Sequence, residues 1–480
     1  MSNPHFAHMI AAPVSANGQI DVTTPFDQST IATIDVVDGA AVEQALATAY
    51  ALYQDKNTWI NAAERVEILE RIAQIMAERA DELAIEAARE GGKPLIDSKV
   101  EVARAIDGIK LCIETLRTEH GEEIPMGLTK ASVGRIAFTR SEPIGVVVAV
   151  SAFNHPLNLI VHQVGPAIAT GCPVIVKPAP DTPLSCMRFV QIAHEAGLPE
   201  AWCQALLTDS NETASKLVTD ERVGFFSFIG SAKVGWWLRS QLAPGTRCAL
   251  EHGGAAPVIV EADADLEDVL PIMAKGGFYH AGQVCVSVQR VFVHSSIARE
   301  VAEKLAVLGS AMKVGDAVLA DTDIGPLIRP GETARIHSWV EEAVASGAEL
   351  LSGGEPISET SYPATVLFNP PADAKVSQLE IFGPVICVYS FDDVEDAIAQ
   401  ANALPYSFQA AVMTQSINSS LKAYRKLNAS AVMVNDMTAF RVDWMPFAGL
   451  KQSGLGVGGI PHTFRDMQIE KMLVIRSPEL

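Results

Sequence analysis

From about residue 143 onward, short runs of apolar and β-branched residues alternate with stretches whose apolar positions recur at helical spacing. The runs predict strands near 144–151, 173–176, 203–207, 224–228 and 256–260, and the stretches between them predict helices at 157–170, 183–196, 211–218 and 231–243. Strands that are apolar almost throughout, joined by single helices, imply right-handed crossovers and a parallel sheet covered on both faces. That is a doubly wound, nucleotide-binding α/β layout. After Gly254 the alternation starts again, with strands at 290–294, 386–390 and 431–434 and helices at 298–312 and 394–402, which predicts a second α/β domain. Ahead of this region, residues 58–90 carry a helical apolar period that stops at Gly91-Gly92-Lys93-Pro94. A second helix is expected to open at Ser98, with Glu101 completing a capping box, and to run to about Gly121. Both are assigned to packing. Strand propensity at 131–139 and 467–476 predicts a small projecting sheet whose edge needs a partner.

Length and charge narrow the field. A chain of 480 residues exceeds one ordinary core, and two large domains plus a smaller element are expected. Hydrophobic residues at 48% against charged ones at 19% exclude a disordered chain. A net charge of -21 with no Lys or Arg cluster argues against nucleic acid or an acidic membrane surface as partner. The longest apolar run, 144–153, is far short of the ~20 residues that span a bilayer, and the N-terminal residues lack a signal pattern, so a cytoplasmic protein is expected. Seven cysteines without a Cys-x-x-Cys pair fit neither a metal site nor a disulfide framework. Six of them read as small buried hydrophobes.

Candidate chemistry sits where elements join. The run from Phe226 through Phe228, Gly230 and Ser231 delivers a Gly-Ser pair onto a helix N-terminus, where free N–H groups can face an anion, although an ordinary strand-to-helix turn looks the same. Lys177-Pro178 closes a predicted strand at the end where open α/β sheets bind ligands. Cys285, in Gly282-Gln283-Val284-Cys285, lies at a helix-to-strand junction, accessible as a nucleophilic thiol must be. Glu251 stands between an apolar strand and Gly253-Gly254 at the domain junction, where half-burial raises a carboxylate pKa and suits it to act as a base. Asn154 closes the 144–151 region and can donate to a developing oxyanion. Each residue alone is more often compatible with a structural role.

Their joint order is not. Phe153-Asn154-His155-Pro156, Lys177-Pro178-Ala179, Phe228-Ile229-Gly230-Ser231, Glu251-His252-Gly253-Gly254, Gly282-Gln283-Val284-Cys285, Glu380-Ile381-Phe382-Gly383-Pro384 and Pro446-Phe447-Ala448-Gly449 follow one another along the chain. Over nearly its whole length the sequence resembles the NAD(P)-dependent, non-acylating aldehyde dehydrogenases. The resemblance implies a Rossmann-like cofactor domain (1–120 and 142–252), an α/β catalytic domain (253–445) and a bridging element (121–141 and 463–480) that builds homodimers or homotetramers. It implies oxidation of an aldehyde to an acid: Cys285 attacks the carbonyl, Asn154 and the Cys285 N–H steady the alkoxide, hydride leaves, and Glu251 activates the water that hydrolyses the thioester. It also implies ribose contacts at Lys177 and Glu380, a pyrophosphate contact at Ser231, nicotinamide neighbours at Gly230 and Phe382, and further cofactor contacts at Pro178, Asp209, Phe228 and Gly253.

Departures from the family pattern leave two questions open. Pro180 replaces a ribose-binding glutamate, which makes room for the phosphate of NADP, while Asp209 replaces a glycine and would repel it, so NAD and NADP both remain. Phe153, His252 and Ala448 replace tryptophan, leucine and glycine without removing a group the chemistry needs. The expected substrate wall is His155, Leu159, His162, Val284, Val286, Arg441, Trp444 and Phe447. Two histidines and an arginine among apolar residues favour a small polar or anionic aldehyde, with Arg441 either its anchor or the partner of Asp443. Transfer of the thioester to coenzyme A, or a relative that kept the fold and lost catalysis, are the alternatives; the set of Cys285, Glu251 and Asn154 argues against both.

Overall fold

Apolar strands buried on both faces suit β-branched side chains, which pack without leaving a polar atom unpaired. In the computed structural model, which describes residues 3–480, such strands build a six-stranded sheet. Its order is Gly454–Leu455, Arg247–Glu251, Val223–Ile229, Val146–Val150, Val174–Lys177 and Cys203–Ala205, parallel except for Gly454–Leu455 at one edge. The chain starts at Val146–Val150, winds outward to Cys203–Ala205, then restarts on the other side at Val223–Ile229. Connections from these two central neighbours therefore leave in opposite directions, which opens a crevice at their carboxyl ends. The intervening helices are Asn158–Thr170, Leu184–Glu195, Asn211–Thr219 and Ala232–Ser240, as expected.

The second domain is a seven-stranded sheet in the order Glu349–Ser352, Thr365–Phe368, Val385–Phe391, Val288–His294, Ala256–Val260, Gln409–Met413 and Ala431–Val434. Ala256–Val260, expected in the first sheet, belongs here, between Val288–His294 and Gln409–Met413. The chain crosses between sheets just before it, at Gly253 and Gly254, where the Gly254 N–H bonds to Glu380. A third, antiparallel sheet pairs Gln468–Arg476 with Arg135–Pro143 along their whole length, and Glu123–Ile124 adds to its far side. The helix Ile460–Asp466 overlaps the expected bridging segment, yet Ile460, Phe464 and Met467 close the core of the first domain. An N-terminal sheet of His5–Phe6, Thr30–Val36 and Gly18–Thr23 was not anticipated. No helix among the described residues is long and apolar enough to cross a membrane.

Two helix assignments change. The stretch expected as one helix over 58–90 is two, Ala62–Glu78 and Ala80–Gly91, hinged at Arg79 (φ -110°, ψ 18°), whose guanidinium reaches Glu195 at 2.7 Å. The first opens with a reciprocal capping box between Asn61 and Glu64. No such box forms at Ser98 and Glu101. That helix, Leu95–Thr118, begins after Pro94, and Ser98 lies inside it, donating to the Lys93 carbonyl at 3.1 Å. Glu101 turns inward to pair with Lys93 and to accept the N–H groups of Leu157 and Asn158, both at 2.9 Å. Glu90 likewise accepts from Leu184 and Ser185 at 2.7 and 2.8 Å. Free N–H groups and the positive end of a helix dipole account for both carboxylates. These helices therefore do more than pack: Glu101 holds the start of Asn158–Thr170, beside the crevice.

Candidate active site

A cavity of about 680 Å³ occupies the crevice at the carboxyl ends of Val146–Val150, Val174–Lys177 and Val223–Ile229, and residues of the second domain form its opposite wall. Cys285 reaches that wall through an unusual backbone. After the helix Leu266–Phe278, the residues His280, Ala281 and Gly282 all take left-handed angles (φ 52°, 52° and 68°). Only glycine does so freely, and the two others cost roughly 1–2 kcal/mol each. Gly282 is also required by space, since a Cβ there would strike the Gly383 carbonyl. Gln283 pins the turn, donating to the carbonyls of His280 and Pro326 at 3.2 and 3.3 Å and accepting the Ile328 N–H at 3.0 Å. The half-buried Cys285 is thereby presented to the cavity just ahead of Val288–His294.

Asn154, 6% exposed, donates from Nδ2 to the Gln283 carbonyl at 2.9 Å. An amide nitrogen carries two hydrogens, so this bond fixes the plane of the group and leaves a second N–H for the cavity. Glu251 is the last residue of Arg247–Glu251, and its carboxylate has no hydrogen-bond partner among the described residues. Gly458 leaves it space, because a Cβ there would meet the Glu251 carboxyl oxygen. Burial raises the Glu251 pKa above the ordinary carboxylate range, against the pull of Arg441. Burial also pushes the Cys285 thiol up to about 12, again with Arg441 opposing. Nucleophile, carboxylate, amide and guanidinium thus line one cavity.

The comparisons with known proteins agree with this geometry. Residues 13–473 match the profile described as the aldehyde dehydrogenase family. The chain belongs to that family. A 3-sulfolactaldehyde dehydrogenase from Priestia aryabhattai is 36% identical over 457 residues, 95% of each chain. The crystal structure of aldehyde dehydrogenase 21 from Physcomitrella patens, in complex with the reaction product succinate, superposes with a TM-score of 0.95 at 33% identity, covering 99% of both chains. A glyceraldehyde-3-phosphate dehydrogenase from Methanocaldococcus jannaschii complexed with NADP superposes with a TM-score of 0.91 at 34% identity, over 96% of this chain and 100% of that one. The protein is an NAD(P)-dependent aldehyde dehydrogenase, oxidising an aldehyde to the carboxylic acid.

Within this aldehyde dehydrogenase the dinucleotide fits the residues present. Lys177, Phe228, Gly230, Ser231, Gly253, Glu380 and Phe382 all line the cavity. The helix Ala232–Ser240 begins at Ser231 with no side chain capping it, which leaves its N–H groups for a phosphate. Burial lowers the Lys177 pKa to about 8 and raises that of Glu380 to about 8; Glu380 also accepts the Gly254 N–H at 3.0 Å. A Cβ on Gly253 would overlap the Glu380 carboxylate. Two expected contacts do not reach the wall. Pro178 lies outside it, and so does Asp209, whose carboxylate is taken by Thr213 and Asn17 at 2.7 and 2.8 Å. Pro180, Asp181 and Asn211 line that end instead. The bonds from Thr213 and Asn17 keep Asp209 ionised, so its charge stays at that end of the cavity without the residue lining it.

On the substrate side His155, Leu159, Val284, Val286, Arg441 and Phe447 line the cavity, whereas His162 and Trp444 do not. Trp444 is 55% exposed at the surface. His162 is buried with Nε2 on Asp443 at 2.7 Å, and burial lowers its pKa to about 4. Asp443 is further held by a two-pronged bond from Arg104, at 2.6 and 3.1 Å. Burial works against its charge, but the bonds from His162 and Arg104 keep the carboxyl far below its usual range. Arg441 forms no ion pair with it. Its guanidinium lies 3.6 Å from the Phe447 ring centre, with Nη2 at 3.3 Å from His162 Nδ1 and Nε buried without a partner. Arg104 itself lines the cavity, a contribution hidden from the sequence because it lies mid-helix without a motif. No group of three potential metal ligands occurs among the described residues.

Proposed function

We propose that Cys285 is the nucleophile, Asn154 and the Cys285 N–H the oxyanion donors, and Glu251 the base for hydrolysis, acting on a short aldehyde whose far end is anionic. The bound dinucleotide supplies the hydride acceptor. Asn154 polarises the carbonyl as sulfur adds, and the alkoxide that forms is held by donors already oriented through Gln283. Glu251, raised in pKa and free of hydrogen bonds, takes the proton of the water that cleaves the thioester. A carboxylate in that position supports water rather than coenzyme A as the acyl acceptor.

The observation that carries the substrate class is Arg441, a guanidinium on the cavity wall with no carboxylate partner, alongside Arg104. A desolvated cation whose nearest carboxylates act on it only at a distance is costly, and an anionic substrate provides a direct partner. The sulfonated aldehyde in the name of the Priestia relative and the succinate in the Physcomitrella structure both carry such a group. Arg441→Ala is expected to lower kcat/KM for 4-oxobutanoate roughly 10- to 100-fold, as for loss of a charged hydrogen bond, and to spare propanal from a comparable loss. Equal losses on both aldehydes would remove the anionic assignment.

The same proposal makes the enzyme a homodimer or homotetramer of the cytoplasm. Gln468–Arg476 pairs on one side only, and Met472, Leu473, Val474 and Ile475 are all at least 43% exposed along it. An open apolar edge of this kind invites a strand from a second copy. All seven cysteines are free, in keeping with a reducing compartment. Val474→Pro should convert the wild-type oligomer to monomers in sedimentation velocity; a wild type that sediments as a monomer ends the idea.

A further inference from the structure

The geometry points to a hydroxyl on the carbon next to the aldehyde carbonyl, recognised by the ring of His155. This rests on the anionic-aldehyde assignment above and extends it to the middle of the substrate. The two ends of that substrate are fixed by chemistry: Asn154 and Cys285 mark the carbonyl, while Arg104 and Arg441 mark the anion. His155 follows Asn154 in the chain and shares the cavity wall with Arg104 and Arg441, its ring packed edge-on against His280, and the charges of Lys93, Arg104 and Arg441 are felt at it. The ring therefore lines the same cavity as both ends and stands next in the chain to the residue that holds the carbonyl. Much of the wall around it is apolar, through Leu159, Val284, Val286 and Phe447.

Against this apolar background the His155 ring has no hydrogen-bond partner among the described residues, and it forms part of the cavity surface. Behind it His280, 0% exposed, has both ring nitrogens unbonded, and the two rings stand nearly perpendicular with centres 6.1 Å apart. Buried polar atoms left unpaired are rare, and with His280 closed off behind it the half-buried His155 ring has its capacity free on the cavity side, suited to a group the protein does not itself supply. Burial, with the positive charges of Lys93, Arg104 and Arg441, keeps the His155 ring neutral. A neutral imidazole offers one N–H and one lone pair, which matches an uncharged hydroxyl that can donate or accept. An anion would use only the ring's N–H and leave the lone pair without a partner. Asn158, whose Oδ1 is buried without a partner, and the Tyr279 phenol also line the wall and can bond a hydroxyl, so the test must separate them from His155.

The matched probes are 3-hydroxy-4-oxobutanoate and 4-oxobutanoate, which differ only in the hydroxyl. The wild-type holoenzyme is expected to favour the hydroxylated compound at least about 10-fold in kcat/KM, because a site that hydrogen-bonds a hydroxyl discriminates against the analogue lacking it. His155→Phe should bring the ratio close to one, and His155→Asn, which keeps a donor and an acceptor, should restore part of it. A wild-type ratio near one overturns the hydroxyl assignment while leaving the anionic one in place. A ratio that survives His155→Phe and collapses in Tyr279→Phe or Asn158→Leu overturns the choice of residue. Absence of turnover on both probes overturns the anionic assignment and this inference together.

Discussion

Cys285→Ala is expected to abolish aldehyde oxidation, with kcat reduced by more than about 10⁴-fold, because no other thiol lines the cavity to form the hemithioacetal from which hydride departs. The remaining cysteines do not substitute. Cys112, Cys172, Cys186, Cys203 and Cys387 are buried in the cores and Cys248 lies outside the cavity. Glu251→Gln should behave differently, since it retains the thiol and loses the base that acts after hydride transfer. A rapid burst of about one NAD(P)H per active site is expected, followed by a steady rate lower by roughly 10²–10⁴-fold. In the wild type the steady rate should rise with pH over a range above that of an exposed carboxylate, since burial raises the Glu251 pKa and the base works only once deprotonated. Arg441 opposes that rise, so Arg441→Ala should move the limb to higher pH still. Stopped-flow absorbance at 340 nm reads all of these. A burst in Cys285→Ala, or its absence in Glu251→Gln together with an unchanged steady rate, would reassign both residues.

What the sequence disclosed and what it hid follow from how far apart the cooperating groups lie. The strands of the first sheet were legible because burial on both faces requires uninterrupted apolar residues, and Val146–Val150 or Val223–Ile229 could have few other uses. Cys285, Glu251 and Asn154 were legible because each sits in a local motif at an element junction. The N-terminal strands Gly18–Thr23 and Thr30–Val36 were not, since the first is largely exposed with a single buried side chain and the second buries polar Asp35 beside apolar neighbours, so neither carries a clear period. Ser98 and Glu101 had capping-box spacing but the wrong environment: with Lys93 and two free N–H groups nearby, burying Glu101 satisfies more donors than returning to its own helix would. Asp209 and His162 were misplaced for a similar reason. Partners distant in sequence, Asn17 at one and Asp443 at the other, claimed them before the cavity could. Arg104 went unnoticed because its role depends on Asp443, 339 positions away.

The largest loss of stability should come from the pair of Lys93 and Glu101. Their side chains are each only 1% exposed, and Glu101 is also the acceptor for the first N–H groups of Asn158–Thr170. Glu101→Ala leaves a buried ammonium without a counter-ion and two helix N–H groups without an acceptor, so a destabilisation of about 3–5 kcal/mol is expected. Lys93→Met should cost less, because the carboxylate keeps both N–H partners. A double variant, Lys93→Met with Glu101→Gln, should recover part of the loss, since it removes both charges and retains an amide oxygen for the helix terminus. Urea midpoints followed by tryptophan fluorescence give the ranking, and equal midpoints for Glu101→Ala and Lys93→Met would mean that the N–H bonds contribute nothing. The ranking also bears on catalysis. Asn154 and His155 lie immediately before the helix start that Glu101 fixes, and both must keep their place for the carbonyl and the middle of the substrate to be held. Under conditions where it remains folded, Glu101→Ala should therefore lose turnover in addition to stability, whereas Lys93→Met should lose mainly stability.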